Sequence, residues 1–540
     1  MTTALHEPFL LADRISEVVG LARSTATATK DAGNPLIAPA GATATWDQLK
    51  SMTSAVTVGG RVHIFYYGAE VGFANPHACY AYTDDGSTIV KPNVGTVTYG
   101  GSTNNNITLS QSFADARYDP IAGEWLIVIN GNEVDFDHRY HIFTAPAPTG
   151  PWTLQVSLGS SSSYWEAKSL LRRPDGRYVA YTVAGHDSDS RSLSAFLSDT
   201  TSLTGSWTEV KNILKASSSA HQIYHLGTHQ VGDFTYGLVV IFDQTALGGL
   251  GSLWIDLYGS RDGLNFTLVK ENFIPLGTAG AWDDGQIIAG ASFAELGNEW
   301  HVYYCGSPEA HDTTPGGERG IGRATVAKAR TVAYAGTGHL LTELLPIHSA
   351  TAALTVNASG PLAVGVLDRN GVTLPGYSAA DCDPITGDST AHAVTWGGLG
   401  LPEVDEVSLR FEATGATLYS FDVTGVGSAS LPYTSGSAVV SATVGTPQTG
   451  AMSMAVRLGG VTRDVVSAYL RTGGVTYQIT LGGGTPPPPP PDSFTIGSSI
   501  EAVVVSVPDS FTVGSSIEAV VVSVPDSFTV GSAIRPAVVA

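Results

Sequence analysis

Acidic side chains directly follow a tryptophan at three places in the chain: Asp47 after Trp46, Glu166 after Trp165, and Asp283 and Asp284 after Trp282. Cleavage of a glycosidic bond needs two carboxyl groups, one protonated to assist the leaving group and one ionised to attack or to activate water. An indole face gives a sugar ring a surface to stack on, a role open to Trp46, Trp165 and Trp282; packing between sheets is the other ordinary use of the residue. The neighbouring carboxylates of Asp283 and Asp284 either raise one another's proton affinity or share a cation, and an Asp-Asp-Gly turn explains them equally well. A structural calcium there is the one metal the residues suggest, and no other cofactor is expected. His221, His225 and His229 are spaced by four, which in β structure does not gather three ligands at one point, so no metal centre is expected; His221 is a candidate to hydrogen-bond a sugar.

Strands must position these groups. Only 14% of the 540 residues are charged while glycine alone numbers 62, a balance that favours turns and strands over long surface helices and predicts an all-β protein. Five apolar-aromatic strands recur, beginning at Arg61, Glu124, Gly176, Phe234 and Glu299, 52 to 65 residues apart. That spacing is the length of a four-stranded sheet with its turns, and it predicts a five-bladed β-propeller whose innermost strands deliver acids to one central channel. Turn signals punctuate the blades at Thr83-Asp-Asp-Gly86, Arg173-Pro-Asp-Gly176 and Ser260-Arg-Asp-Gly263.

Beyond residue 335 the alternation changes to that of a β-sandwich. The expected division is 1–30 as a segment packing on the body, with a short helix over His6 to Ala22; 31–335 the propeller; 336–425 the sandwich; 426–482 further strands. Six prolines, Pro486 to Pro491, lie in a stiff linker at 483–491, and 492–540 repeat with a 17-residue period. Val-rich repeats of that kind cannot bury their faces singly and imply stacking, self-association or docking to a larger assembly. A formal charge of −21 speaks against nucleic acid as a partner. No apolar run is long enough to span a membrane, and Met1 to Arg23 does not read as a secretory signal. Cys79, Cys305 and Cys382 are scattered without metal-ligand spacing and read as small core residues.

Several segments fall in the order of a known family. Asn34-Pro-Leu-Ile37, Trp46-Asp47, Cys79-Tyr-Ala-Tyr-Thr-Asp-Asp-Gly86, Asn104-Asn-Asn-Ile107, Tyr258-Gly-Ser-Arg-Asp-Gly-Leu-Asn-Phe266, Gly280-Ala-Trp-Asp-Asp-Gly285 and Gly376-Tyr-Ser-Ala-Ala-Asp-Cys-Asp-Pro384 together resemble bacterial proteins related to glycoside hydrolase family 32, the invertase and levanase group. The resemblance covers roughly residues 7 to 425 and implies a propeller plus sandwich. It implies Asp47 as nucleophile or base and Glu166 as acid/base, with Ala167 where a Cys usually follows. It implies Asp119 of Arg117-Tyr-Asp-Pro120 as a sugar-holding carboxylate, with Asp115 as competitor. The expected ligand is an extracellular polysaccharide or oligosaccharide, the expected location extracellular, cell-surface or virion-associated. The alternative is a non-catalytic tail fibre or filament subunit with a glycan-binding propeller.

Overall fold

Runs such as Ile64-Phe-Tyr-Tyr67 and Leu126-Ile-Val-Ile129 are apolar at consecutive positions, which suits a strand buried on both faces between stacked sheets. All five strands foreseen from the sequence are of this kind, and each pairs antiparallel as the second strand of its blade: Arg61–Ala69, Glu124–Asn130, Tyr178–Asp187, Phe234–Asp243 and Glu299–Ser307, the last two blades being joined into one nine-stranded sheet by a parallel bridge between Leu253 and Gln286. The computed structural model describes residues 3–426 except 42–44, 131–139, 160–165, 188–189, 216–217, 314–317 and 348–350, and nine short strands beyond 426. Trp165 and the proline linker lie outside the described residues. The chain divides into two units, Met1–Tyr433 and Thr434–Ala540.

The first unit holds the five-bladed propeller and the sandwich. The inner strands of blades one to four are Leu49–Val58, Phe113–Asp119, Glu166–Arg172 and His221–Val231; blade five uses the broken pair Gln286–Ile288 and Ala294–Leu296. The outermost strand of blade five is Thr29–Lys30, from the beginning of the chain, paired with Gly320–Ala327. The ring is thus fastened by strand pairing between the two ends of the propeller sequence.

One Asp–Arg pair ties all five blades at the axis. The buried Asp115 carboxylate of blade two accepts from Ser54 Oγ of blade one (2.8 Å), from the Leu170 N–H of blade three (2.8 Å) and from Arg117 Nε (2.8 Å). The Arg117 guanidinium then crosses to the non-adjacent blades, donating to the carbonyls of Thr228 in blade four (2.7 Å) and Ala291 in blade five (2.6 Å). The Ala291 N–H returns to Thr53 O of blade one (2.8 Å). Reaching blades four and five from blade two requires passing through the centre, so Arg117 floors the channel. At the end where the inner strands begin, the rim, the Glu166 side chain keeps part of its surface exposed.

The sandwich is built on the 21-residue strand Glu406–Val426, against which Thr3–Glu7, Val332–Thr342, Leu345–Pro346, Ala353–Ser359 and Leu362–Leu367 all pair. The helix expected over His6 to Ala22 does not form. Strand Ile15–Thr25 occupies that stretch and pairs antiparallel with Val332–Thr342, its register slipping between Ile15 and Glu17 and again between Val19 and Leu21. Each slip adds a residue to the two-residue alternation. The half-buried positions therefore fall at Ile15, Val18 and Leu21, a spacing of three that imitates a helical stripe. The sandwich accordingly begins with the N-terminal strands rather than after the propeller.

In the second unit, strands 17 residues apart pair in parallel and in register: Phe494 with Phe511 and Phe511 with Phe528, Val503 with Val520. Equivalent residues of successive repeats are stacked on one another.

Candidate functional site

A β-bulge inserts an extra residue and re-aims the side chains around it. Four inner strands carry one close to their start, where the register shifts between Lys50 and Thr53, Phe113 and Asp115, Ala167 and Ser169, and Ile223 and His225. In blades three and four the extra residues are Lys168 and Tyr224. Lys168 is fully buried, its Nζ 2.7 Å from Glu166 Oε2 and 5.1 Å from the centroid of the Tyr224 ring. The Glu166 side chain keeps 23% of its surface exposed, and the Ala167 N–H behind it is fixed to Asn130 Oδ1 of blade two (2.5 Å). Glu166 is therefore a carboxylate presented at the rim by a buried cation.

Tyr224 gathers groups from three blades. The Arg191 guanidinium lies 5.4 Å over its ring and 5.5 Å over Phe242, and donates through Nη1 to Gln222 Oε1 (3.3 Å). The His311 ring meets Tyr224 edge-on at 4.9 Å, and its Nδ1 is 2.6 Å from Asp312 Oδ1. Burial pushes the Tyr224 hydroxyl up to about 12, the carboxylates of Glu166 and Asp312 adding to the rise while Arg191 and Arg319 oppose it. The phenol stays protonated at neutral pH. His225, the next residue, is wholly buried with neither ring nitrogen hydrogen-bonded. Burial, with the Lys168 and Arg117 cations, drives its pKa well down and keeps it neutral.

Asp47 lies elsewhere. Its carboxylate turns into its own blade, accepting from the Tyr66 hydroxyl (2.8 Å) and Lys91 Nζ (2.5 Å). Asn106 Nδ2 donates to Tyr66 Oη (2.8 Å), and Trp46 Nε1 to Asn106 Oδ1 (2.7 Å). Burial works to raise the Asp47 carboxyl, but the Lys91 and Lys50 ammonium groups outweigh it and hold it ionised. Blade five repeats the arrangement: Asp283 accepts from the Tyr304 hydroxyl (2.8 Å) and Lys30 Nζ (2.6 Å), and Asn34 Nδ2 reaches Tyr304 Oη (3.2 Å). Trp282 stacks on Tyr304 at 5.8 Å. In both blades a glycine gives the carboxylate room, since a Cβ on Gly68 would stand 3.0 Å from Asp47 Cβ and one on Gly306 2.6 Å from Asp283 Cβ. These are two copies of one internal lock, and in blade five the lysine it holds belongs to the closing strand. Among the described residues the partners of the Asp47 carboxylate are Thr45, Tyr66 and Lys91, all of blade one, and none joins it to Glu166, with which it was expected to form the channel pair.

The other expected residues separate in the same way. Asp119 ends its inner strand, bound by Arg172 Nη1 (2.5 Å) and the Tyr178 hydroxyl (2.6 Å), and caps the N–H groups of Ile121 and Ala122. It stands four residues beyond the axial Asp115, about 13 Å along the strand and away from the open rim. Asp115 belongs to the floor. Asp284 accepts from Gly280 N (2.6 Å), apart from Asp283, so the adjacent pair builds no shared cation site, and among the described residues no three His, Cys, Asp or Glu side chains cluster as metal ligands. His221 is half exposed, 3.6 Å from Asp243 and edge-on to Trp254. The rim residues missed from the sequence are Lys168, Arg191, Tyr224, Asp312 and Arg319. Lys168, two residues after Glu166, was the one signal available, and it is a buried partner rather than a surface one.

No family model and no curated protein matches the chain. Solved structures resemble it at low identity. A glycosyl hydrolase from Bacteroides ovatus is 13% identical with a TM-score of 0.39, covering 57% of this chain and 96% of that one. A structure described under the GH130 family of mannoside phosphorylases, containing glycoside hydrolases that target β-1,2-mannosidic linkages, is 14% identical at a TM-score of 0.38, covering 56% and 94%. The catalytic domain of the Coprinopsis cinerea GH62 α-L-arabinofuranosidase is 14% identical at a TM-score of 0.38, covering 56% and 97%. Likenesses of this degree assign no residue of this chain a role.

Proposed function

We propose that the propeller binds a saccharide at the rim where its inner strands begin and hydrolyses it with Glu166 as proton donor. The observation that carries this reading is the presentation of Glu166, a partly exposed carboxylate set against the wholly buried Lys168 beside the protonated Tyr224. Asp312 of blade five lies 2.6 Å from Nδ1 of the His311 ring that meets Tyr224 edge-on, and in this reading it is the second carboxylate of the pair that glycosidic cleavage needs. The resemblance to family 32 of the glycoside hydrolases supports the reaction class and not the residue pairing, because the Asp47 it points to is spent on an internal lock. The test is release of reducing ends from a polysaccharide panel by the wild type, Glu166→Gln and Asp312→Asn. Loss of at least a hundredfold in rate is expected for both variants, and a Glu166→Gln protein as active as the wild type overturns the assignment.

The second unit supports assembly. Its strands pair in parallel with the strand one repeat away, and such a stack ends on strands with unpaired backbone groups, which a second copy's repeats satisfy. In this reading the propeller is displayed outside the cell on a larger particle or surface.

A further inference from the structure

Arginine at the channel mouth is not balanced by acid, although the chain has 48 Asp and Glu against 27 Lys and Arg. Arg319 is 4% exposed, and its Nε has no hydrogen-bond acceptor. Among the described residues no carboxylate lies within ion-pair distance of it; its guanidinium rests 5.3 Å over the Phe73 ring. Arg191 has for acceptor, among the described residues, one side-chain amide oxygen, Gln222 Oε1 at 3.3 Å, and lies over the rings of Tyr224 and Phe242. The acids nearby are engaged: Glu166 with Lys168, and Asp312 with His311. A buried guanidinium without a counter-charge is costly to fold around. Arg191 lies at the start of strand Ser190–Ser198 and Arg319 just before Gly320–Ala327, each the third strand of its blade and so at the end where Glu166 begins its inner strand; both lie against aromatic rings, a setting that leaves their N–H edges for a planar anion.

We propose that the mouth recognises an acidic saccharide, seating the carboxylate of a uronic-acid residue between the guanidinium groups of Arg319 and Arg191, with the sugar ring reaching toward Glu166. The inference deepens the saccharide reading and rests on it. A carboxylate supplies Arg319 with the acceptors the chain withholds, whereas a neutral sugar leaves it unpaired and is disfavoured. The preference weakens with salt, as a contact between charges must.

The experiment titrates the full chain calorimetrically with oligouronates, neutral oligosaccharides of equal length and a sulfated neutral oligosaccharide. The oligouronate is expected to bind at least tenfold more tightly than its neutral counterpart at low salt. Arg319→Met removes that preference, and Arg319→Lys, which keeps the charge and loses the fork, restores part of it. Arg319→Met is expected to melt no lower than the wild type, because it removes an unpaired buried charge, so loss of binding is separable from loss of fold. Equal or tighter binding of the neutral or the sulfated sugar, no binding of any, or an unchanged preference in Arg319→Met overturns the proposal. Reducing-end release by the same proteins separates the two readings. Neutral sugars cleaved in a Glu166-dependent way leave the hydrolase standing and sink the uronate. Uronates bound through Arg319 and left intact do the opposite.

Discussion

Replacing Arg117 by Met tests the claim that one ion pair holds the five blades at their axis. Methionine fills most of the arginine's length, so the change removes charge and hydrogen bonds more than volume. Four acceptors lose this donor: the Asp115 carboxylate, Thr228 O, the Thr228 hydroxyl and Ala291 O. Stripping one member of a buried pair costs about 3–5 kcal/mol, and the carbonyl losses are part of that figure rather than additions to it. A domain of 150–250 residues shifts by roughly 2–4 °C per kcal/mol; taking the lower bound for this larger unit gives a fall in Tm of about 6–10 °C. The pH dependence follows from Asp115. Burial raises its pKa in the folded state, with Arg117, the Leu170 N–H and Ser54 opposing. A carboxyl raised on folding contributes most below its unfolded pKa of about 3.9, and that contribution drains as pH rises through the folded value. Removing Arg117 deletes the largest opposing influence and lifts the folded pKa further, so the deficit of the variant grows from pH 5 to pH 8. Asp115→Asn combined with Arg117→Met removes the stranded charge and is expected to recover more than half of the loss at pH 8. Calorimetric melts of the three proteins at both pH values read this directly. A deficit below about 1 kcal/mol, one equal at the two pH values, or a double variant no better than the single refutes the axial role.

Two further outcomes are expected. Tyr303→Phe deletes the bond from the Tyr303 hydroxyl to the buried Gly86 carbonyl (2.7 Å), which ties blade five to blade one, and is expected to cost about 1–2 kcal/mol; denaturant melts with an unchanged midpoint would show the tie to be dispensable. Removing residues 483–540 is expected to convert an assembled species into a smaller one on size-exclusion chromatography, and a monomer of the same behaviour with and without the tail counts against assembly.

What was legible in the sequence, and what was not, divides along physical lines. The five second strands could be read because they are buried on both faces and so run apolar without interruption. The turns Thr83-Asp-Asp-Gly86 and Ser260-Arg-Asp-Gly263 could be read because one device builds both. Asp85 accepts from the N–H groups of Ser87 and Thr88, and Asp262 from those of Leu264 and Asn265. The glycine carbonyl of each accepts from a tyrosine of the preceding blade, Tyr303 for Gly86 and Tyr181 for Gly263. The inner strands could not be read, since their bulges break the two-residue period at the very positions that face the open rim. The N-terminal strand was misread for the same reason.

The candidate site illustrates the harder limit. Tryptophan followed by an acid marks Asp47 and Asp283 as strongly as it marks Glu166, and two of the three turn out to be internal locks. The difference lies in partners that sequence distance hides: Asp283 meets Lys30 across 253 residues, and Asp47 meets Lys91 across 44. The lysine bonded to each of those carboxylates comes from beyond the inner strand, while Lys50 of the inner strand bonds the Asp47 carbonyl instead. Lys168 comes from the bulge of the inner strand itself, two residues after Glu166, and holds the acid at the rim. The acid ion-paired to a lysine of its own bulged inner strand keeps 23% of its side chain exposed, and the two ion-paired to lysines further out in their blades keep 5% and 3%. The location of the counter-ion, rather than the neighbouring indole, is what distinguishes Glu166 from Asp47 and Asp283.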